Sequence, residues 1–181
     1  MGFTSPESFR PSWVRVPSHG FTLLELLVVV AILSLTAALV FPLLPSTETG
    51  ALRSSARGVA AMLRYLGEQA ITTKTVYRLH LEPGGTGLTV MMRLASGDEV
   101  PPTDTLLAKQ VLVSGVTISD VETGRLGRVT SGEVLVDVGP GGLADLLVIH
   151  LQGKGGETFT VTAYPASGKV KVASGYQEAG L

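Results

Sequence analysis

Residues 18–25 read Ser18-His19-Gly20-Phe21-Thr22-Leu23-Leu24-Glu25, and the run from Phe21 to Leu44, FTLLELLVVVAILSLTAALVFPLL, carries one charge, Glu25. As a helix this run is about 36 Å long at roughly 1.5 Å per residue, enough for a hydrocarbon core of about 30 Å. A secretory signal has an apolar stretch of about 7–15 residues, a small-x-small cleavage site and no acid in its interior. Length and Glu25 both argue against that reading. Arg10 and Arg15 precede the run while Arg53, Arg57 and Arg64 follow it, so the flanking charges do not orient the span.

Glu25 is the most informative residue. A charge in a membrane helix costs on the order of 3 kcal/mol at the bilayer centre and less near an interface. A place at headgroup depth, or protonation, is one solution. A second lies just upstream. Cleavage after Gly20 would give Phe21 a new α-ammonium group. On a helix Phe21 and Glu25 are i and i+4, so amine and carboxylate would share one face. Parallel neighbours staggered along the helix axis would then pair the plus of one with the minus of the next, removing two unpaired charges from lipid.

Gly-Phe-Thr-Leu-Leu-Glu followed by about twenty apolar residues resembles the class III signal of type IV pilins and type II secretion pseudopilins. The resemblance implies a prepilin peptidase that cuts between Gly20 and Phe21 and N-methylates Phe21. It also implies that Phe21 and Glu25 carry the charge pairing of assembly, and that Pro42 marks the helix kink. The leader, residues 1–20, is longer than the short basic leader usual in the family. With Arg10 and Arg15 against Glu7 it is weakly basic.

Beyond Pro45 the pattern changes. Ser46 or Thr47 suits a helix cap, with Glu48 near the positive end. Leu52, Ala56, Val59, Leu63, Leu66 and Ala70 recur at helical steps, which predicts an amphipathic helix over 47–73 with one apolar stripe. Arg53, Arg57 and Arg64 lie off the stripe and read as a solvated face. After Thr73 the chain reads as strands between turn signals: 76–82, 88–93, 109–113, 116–118, 133–138, 145–151, 157–164 and 169–173. Short connections such as Gly139-Pro140-Gly141-Gly142 make neighbouring strands antiparallel. Residues 94–108 read as a mobile loop.

The soluble part resembles the H-class minor pseudopilins of type II secretion. The likeness runs through 63–71 (LRYLGEQAI) into Val76–Leu81 and through the final strands to Ser167-Gly168-Lys169-Val170.

Composition narrows the chemistry. The chain has 181 residues, 14 Lys+Arg against 15 Asp+Glu, no cysteine, 22 glycines and 10 prolines. Near-neutral charge argues against a nucleic-acid binder, and zero cysteines exclude disulfides and thiolate chemistry. Mean hydropathy is +0.37, which points to a membrane contribution. No enzyme site, cofactor motif or metal site is legible. Asp145 and His150 could be combined with a serine only by chance, and His80 stands alone. Gly139–Gly142 lacks the Lys-Ser/Thr and helix of a phosphate cradle. Asp98, Glu99 and Asp104 have calcium-type oxygens but read as a solvated loop.

The expected architecture is α+β and type IV pilin-like: leader 1–20, a transmembrane and filament-core helix 21–44, and a periplasmic domain 45–181 of helix packed on an antiparallel sheet. The expected role is a minor pseudopilin of the type II secretion pseudopilus in the inner membrane. Its partners would be prepilin peptidase, major and minor pseudopilins, the inner-membrane secretion platform and secreted substrates. Two alternatives stay open: a minor type IV pilin for adhesion, motility or DNA uptake, and an uncleaved single-pass membrane protein with a periplasmic binding domain.

Overall fold

The computed structural model describes residues 21–40, 47–165 and 167–178. It contains two units, each taken by itself. The first is helix α1 (Leu23–Val40), none of whose residues is buried. The expected leader and Pro42 lie outside the described residues.

The second unit begins with helix α2 (Thr47–Thr73). The spacing of its apolar residues decides which face turns inward. Leu52, Ala56, Val59, Leu66 and Ala70 are fully buried and Leu63 nearly so, as the helical period predicts. Arg53 and Arg57 are exposed, off that stripe.

Among the described residues ten strands follow: β1 (Val76–Leu81), β2 (Leu88–Arg93), β3 (Glu99–Val100), β4 (Val116–Thr123), β5 (Gly127–Val129), β6 (Val134–Gly139), β7 (Gly142–Leu143), β8 (Leu147–Gly153), β9 (Thr158–Ala163) and β10 (Val170–Ser174). They form two antiparallel sheets, ordered β3-β2-β1-β6-β7 and β10-β9-β8-β4-β5. A single sheet running through the neighbours β6 and β8 is therefore not what forms. β6 returns to pair with β1, and β8 pairs with β4 and β9. Alternation along each strand is the same for either pairing, so hydrophobic pattern and loop length could not choose between them.

The two sheets meet at the β1–β2 turn. Gly84 N–H donates to the Ile118 carbonyl at 2.7 Å, and Ile118 N–H donates to the Gly85 carbonyl at 2.8 Å. Gly84 stands at φ +85°, where a side chain would be strained. The inner faces contribute Leu79, Leu81, Val90, Ile118, Val121, Ile149, Leu151 and Val161 to one core beneath α2.

Two expected elements differ. Residues 109–113 are not a strand. They lie on α2 instead, with Leu112 buried and Val113 N–H donating to Ser55 Oγ at 3.0 Å. Gly58 makes the approach possible: a Cβ there would stand 2.6 Å from Val111 Cγ1. The expected loop 94–108 is tied down by β3, by buried Leu107 and by a hydrogen bond from the Tyr65 hydroxyl to Asp104.

Candidate functional site

The N-terminal end of α1 holds the residues singled out for processing and assembly. Helix α1 starts at Leu23 because Thr22 caps it. Glu25 N–H donates to Thr22 Oγ1 at 3.2 Å and to the Thr22 carbonyl at 3.1 Å, and Leu26 N–H also reaches that carbonyl. Thr22-x-x-Glu25 has the spacing of a capping box, a signal present in the sequence and overlooked there. Phe21 precedes the cap and is 77% exposed, so it stands outside the first helical turn. In this structure Phe21 and Glu25 therefore do not share a helical turn. Gly20 lies outside the described residues.

Along α1 the other polar side chains satisfy themselves. Ser34 Oγ donates to the Val30 carbonyl at 2.8 Å and Thr36 Oγ1 to the Ile32 carbonyl at 2.7 Å. Back-bonding of this kind lets hydroxyls sit in an apolar environment. Glu25 is the one charged group on the helix.

The two strand histidines occupy unrelated networks. On the outer face of the first sheet, His80 lies between Glu133 Oε1 at Nδ1 and Glu99 Oε2 at Nε2, both 2.7 Å away. Arg78 reaches Asp137 through two bonds of 2.6 and 2.9 Å and Glu99 through a third of 2.8 Å, while Arg93 adds a contact of 3.2 Å to Asp137. Burial works against the charged form of His80, but the two carboxylates outweigh it and hold His80 above its usual value. The hydrogen bond from His80 holds Glu99 below the usual carboxylate range, and the one from Arg78 does the same for Asp137.

On the second sheet, His150 is fully buried and bonds Asp120, not Asp145, at 2.8 Å. Its second nitrogen meets the Gln177 carbonyl at 2.9 Å. With an acceptor at both nitrogens, this ring is fully engaged. Asp120 reaches that position through a bulge: the β4–β8 register shifts between Ile118 and Asp120, so one extra residue turns Asp120 outward opposite His150.

The remaining candidates are placed as follows. Asp98 is bonded to Ser96, Glu99 to Arg78 and His80, and Asp104 to Tyr65 and the Leu106 amide, so these carboxylates do not converge. Gly139–Gly142 is the turn of the β6–β7 hairpin. Arg64 departs from the expected solvated face, because its guanidinium donates to the Val170 carbonyl at 2.6 Å and ties α2 to β10.

Residues 16–41 match the prokaryotic N-terminal methylation motif, which covers the Gly20–Phe21 junction and all of α1. Two solved structures of the minor pseudopilin EpsH from the type 2 secretion system of Vibrio cholerae share the architecture. One aligns with TM-score 0.55 at 19% identity over 74% of this chain and 100% of that one. The other aligns with TM-score 0.52 at 19% identity over 68% and 96%. The chain has the minor-pseudopilin fold. Its sequence is also similar to type II secretion system protein H of Xanthomonas campestris pv. campestris, 39% identical over 71 residues. That match spans 39% of this chain and 42% of the relative's length. Each unit keeps its own character: an apolar N-terminal helix with no buried residue, and a second helix buried against two sheets.

Proposed function

We propose that this chain is a minor pseudopilin of a type II secretion pseudopilus, supporting protein export across the outer membrane. In this reading prepilin peptidase cleaves between Gly20 and Phe21 and N-methylates Phe21. Helix α1 anchors the chain in the inner membrane before assembly and packs among neighbouring pseudopilin helices afterwards, with residues 45–181 in the periplasm. The single observation that carries the reading is the methylation motif at 16–41, set directly on a helix with no buried residue, in a chain of pseudopilin fold.

The physics of assembly follows from Glu25. An unpaired carboxylate at the end of an apolar rod is costly in lipid, and a neighbour's α-ammonium removes that cost. The Thr22 cap uses the backbone amide of Glu25 rather than its carboxylate. Partners of this subunit are then other major and minor pseudopilins and the inner-membrane secretion platform.

Deleting the gene in its own host and following exported proteins tests the reading. Retention of those proteins in the periplasm, restored by the intact gene, is the expected result. Normal export together with loss of surface pili would instead assign the chain to a type IV pilus.

A further inference from the structure

The last described residues, Gly175–Glu178, leave β10 and cross the outer face of the second sheet. They are exposed on their far side, yet they cover His150, Thr160 and Asp120, which are all buried. What holds them is unusual in kind. Gly175 N–H continues the ladder to the Thr158 carbonyl at 2.8 Å, and after that no strand pairing remains. Side chains of the sheet take over the backbone. Thr160 Oγ1 donates to the Gly175 carbonyl at 2.8 Å and accepts from Gln177 N–H at 3.0 Å, and His150 holds the Gln177 carbonyl at 2.9 Å.

One side chain of the segment is read closely. The Tyr176 ring stacks on His150 with centroids 3.8 Å apart and planes 12° from parallel, and its hydroxyl donates to Asp120 Oδ1 at 3.1 Å. The Arg128 guanidinium lies 5.0 Å from the ring centroid and also reaches Glu178 at 3.7 Å. Burial and the neighbouring Asp120 carboxylate hold the Tyr176 hydroxyl above its usual value, keeping it a donor.

The face of the sheet thus grips the segment through its backbone, with one aromatic anchor. We propose that the outer face of the second sheet is a peptide-binding site, occupied in cis by the chain's own C-terminal segment as a releasable strap. The ligand class is an extended peptide with an aromatic side chain between a free backbone carbonyl before it and a free amide and carbonyl after it.

Two features separate a releasable strap from a plain cover. The segment contributes no aliphatic side chain to the core, so hydrogen bonds and one ring stack must offset the entropy of ordering four residues. Such a balance lies near zero, and the segment opens well below global unfolding. The sheet, in turn, is built for the grip: a β-bulge and a buried His–Asp pair sit in strands where aliphatic residues would pack without partners. Attachment in cis also gives the strap a high effective concentration, which shields the site from free peptides until the strap lifts.

Hydrogen exchange on the intact chain in detergent micelles is the first test. The Gln177 amide should exchange at least 100-fold faster than the Val161 amide of β9, although both are hydrogen-bonded. Exchange of the two at one rate, only through global unfolding, would overturn the proposal. The second test uses a chain ending at Ser174 and a fluorescein-labelled peptide of residues 175–181. Binding with a micromolar Kd is expected, weakened at least tenfold in a Tyr176→Ala peptide. A folded truncated chain that ignores the peptide, or binds both peptides alike, would overturn the proposal. If the truncated chain does not fold, the exchange rates of the intact chain decide.

Discussion

Helices α1 and α2 obey the same backbone chemistry and have opposite fates. Helix α2 presents an apolar stripe that its own chain buries, with Leu52, Ala56, Val59 and Leu66 at zero exposure. Helix α1 is apolar all round, and none of its residues is buried, with Leu23 at 83% exposure. A helix apolar on every side has no solvated face to offer, so it is stable only when surrounded by lipid or by other helices. The difference teaches that α2 is a folding element, and that α1, under the proposed function, is an assembly element.

The largest expected effect breaks or keeps that comparison directly. Leu66→Ala should cost about 2–5 kcal/mol and lower the melting temperature of the domain by roughly 10 °C, through the cavity left beneath α2. Leu33→Ala in α1 should leave that transition where it was. A comparable shift from the α1 variant, followed by thermal circular dichroism, would show that α1 takes part in the domain's stability.

Glu25→Ala sharpens what assembly requires of α1. Processing at Gly20–Phe21 should proceed, while co-purification with other pseudopilins should fall at least tenfold. Unchanged co-purification would remove charge pairing from the account.

A smaller effect comes from the outer face of the first sheet. His80 lies above its ordinary value of 6.5, so its contribution is full below about that pH and is lost as pH rises through the raised value. Glu99 and Asp137 lie below their ordinary values of 4.5 and 3.8, so theirs is full above those values and is lost as pH falls through the lowered ones. The melting temperature should be flat from about pH 5 to 6.5 and drop slightly on each side, since these pairs are partly exposed and screened by solvent. His80→Gln should flatten the alkaline side and weaken the acid side, because His80 also holds Glu99 low, while Asp137 keeps its Arg78 partner.

The smallest pair concerns glycines on α2. Gly67→Ala meets nothing within 4 Å and should gain about 1 kcal/mol of helix propensity. Gly58→Ala should lose that gain against Val111 Cγ1, the atom 2.6 Å from the new Cβ. Urea midpoints of the two variants measure the contrast.

What the sequence made legible follows from the range of each interaction. The apolar run from Phe21 and the stripe Leu52–Ala70 are local patterns; α1 (Leu23–Val40) lies within the first and α2 (Thr47–Thr73) carries the second. Strands β1, β2, β6, β8, β9 and β10 were legible from alternation and turn residues. Their division into two sheets was not, because β6 finds β1 across more than fifty residues with no local signal. The 109–113 segment misled for a related reason: Val111 and Val113 favour strands, but Gly58 and Ser55, far away in sequence, draw the segment onto α2. The pairing of His150 with Asp120 was likewise hidden by a bulge that simple alternation does not foresee. At the candidate site, Gly20, Phe21 and Glu25 stood out by spacing, and the cap from Thr22 was legible but overlooked.

The intact mass and N-terminal sequence of the chain purified from membranes test the central claim most directly. The account predicts a chain that begins at Phe21 with one added methyl group on its α-amine. A chain that keeps residues 1–20 in cells with active prepilin peptidase would contradict it, leaving a single-pass membrane protein whose Glu25 has no amine to meet.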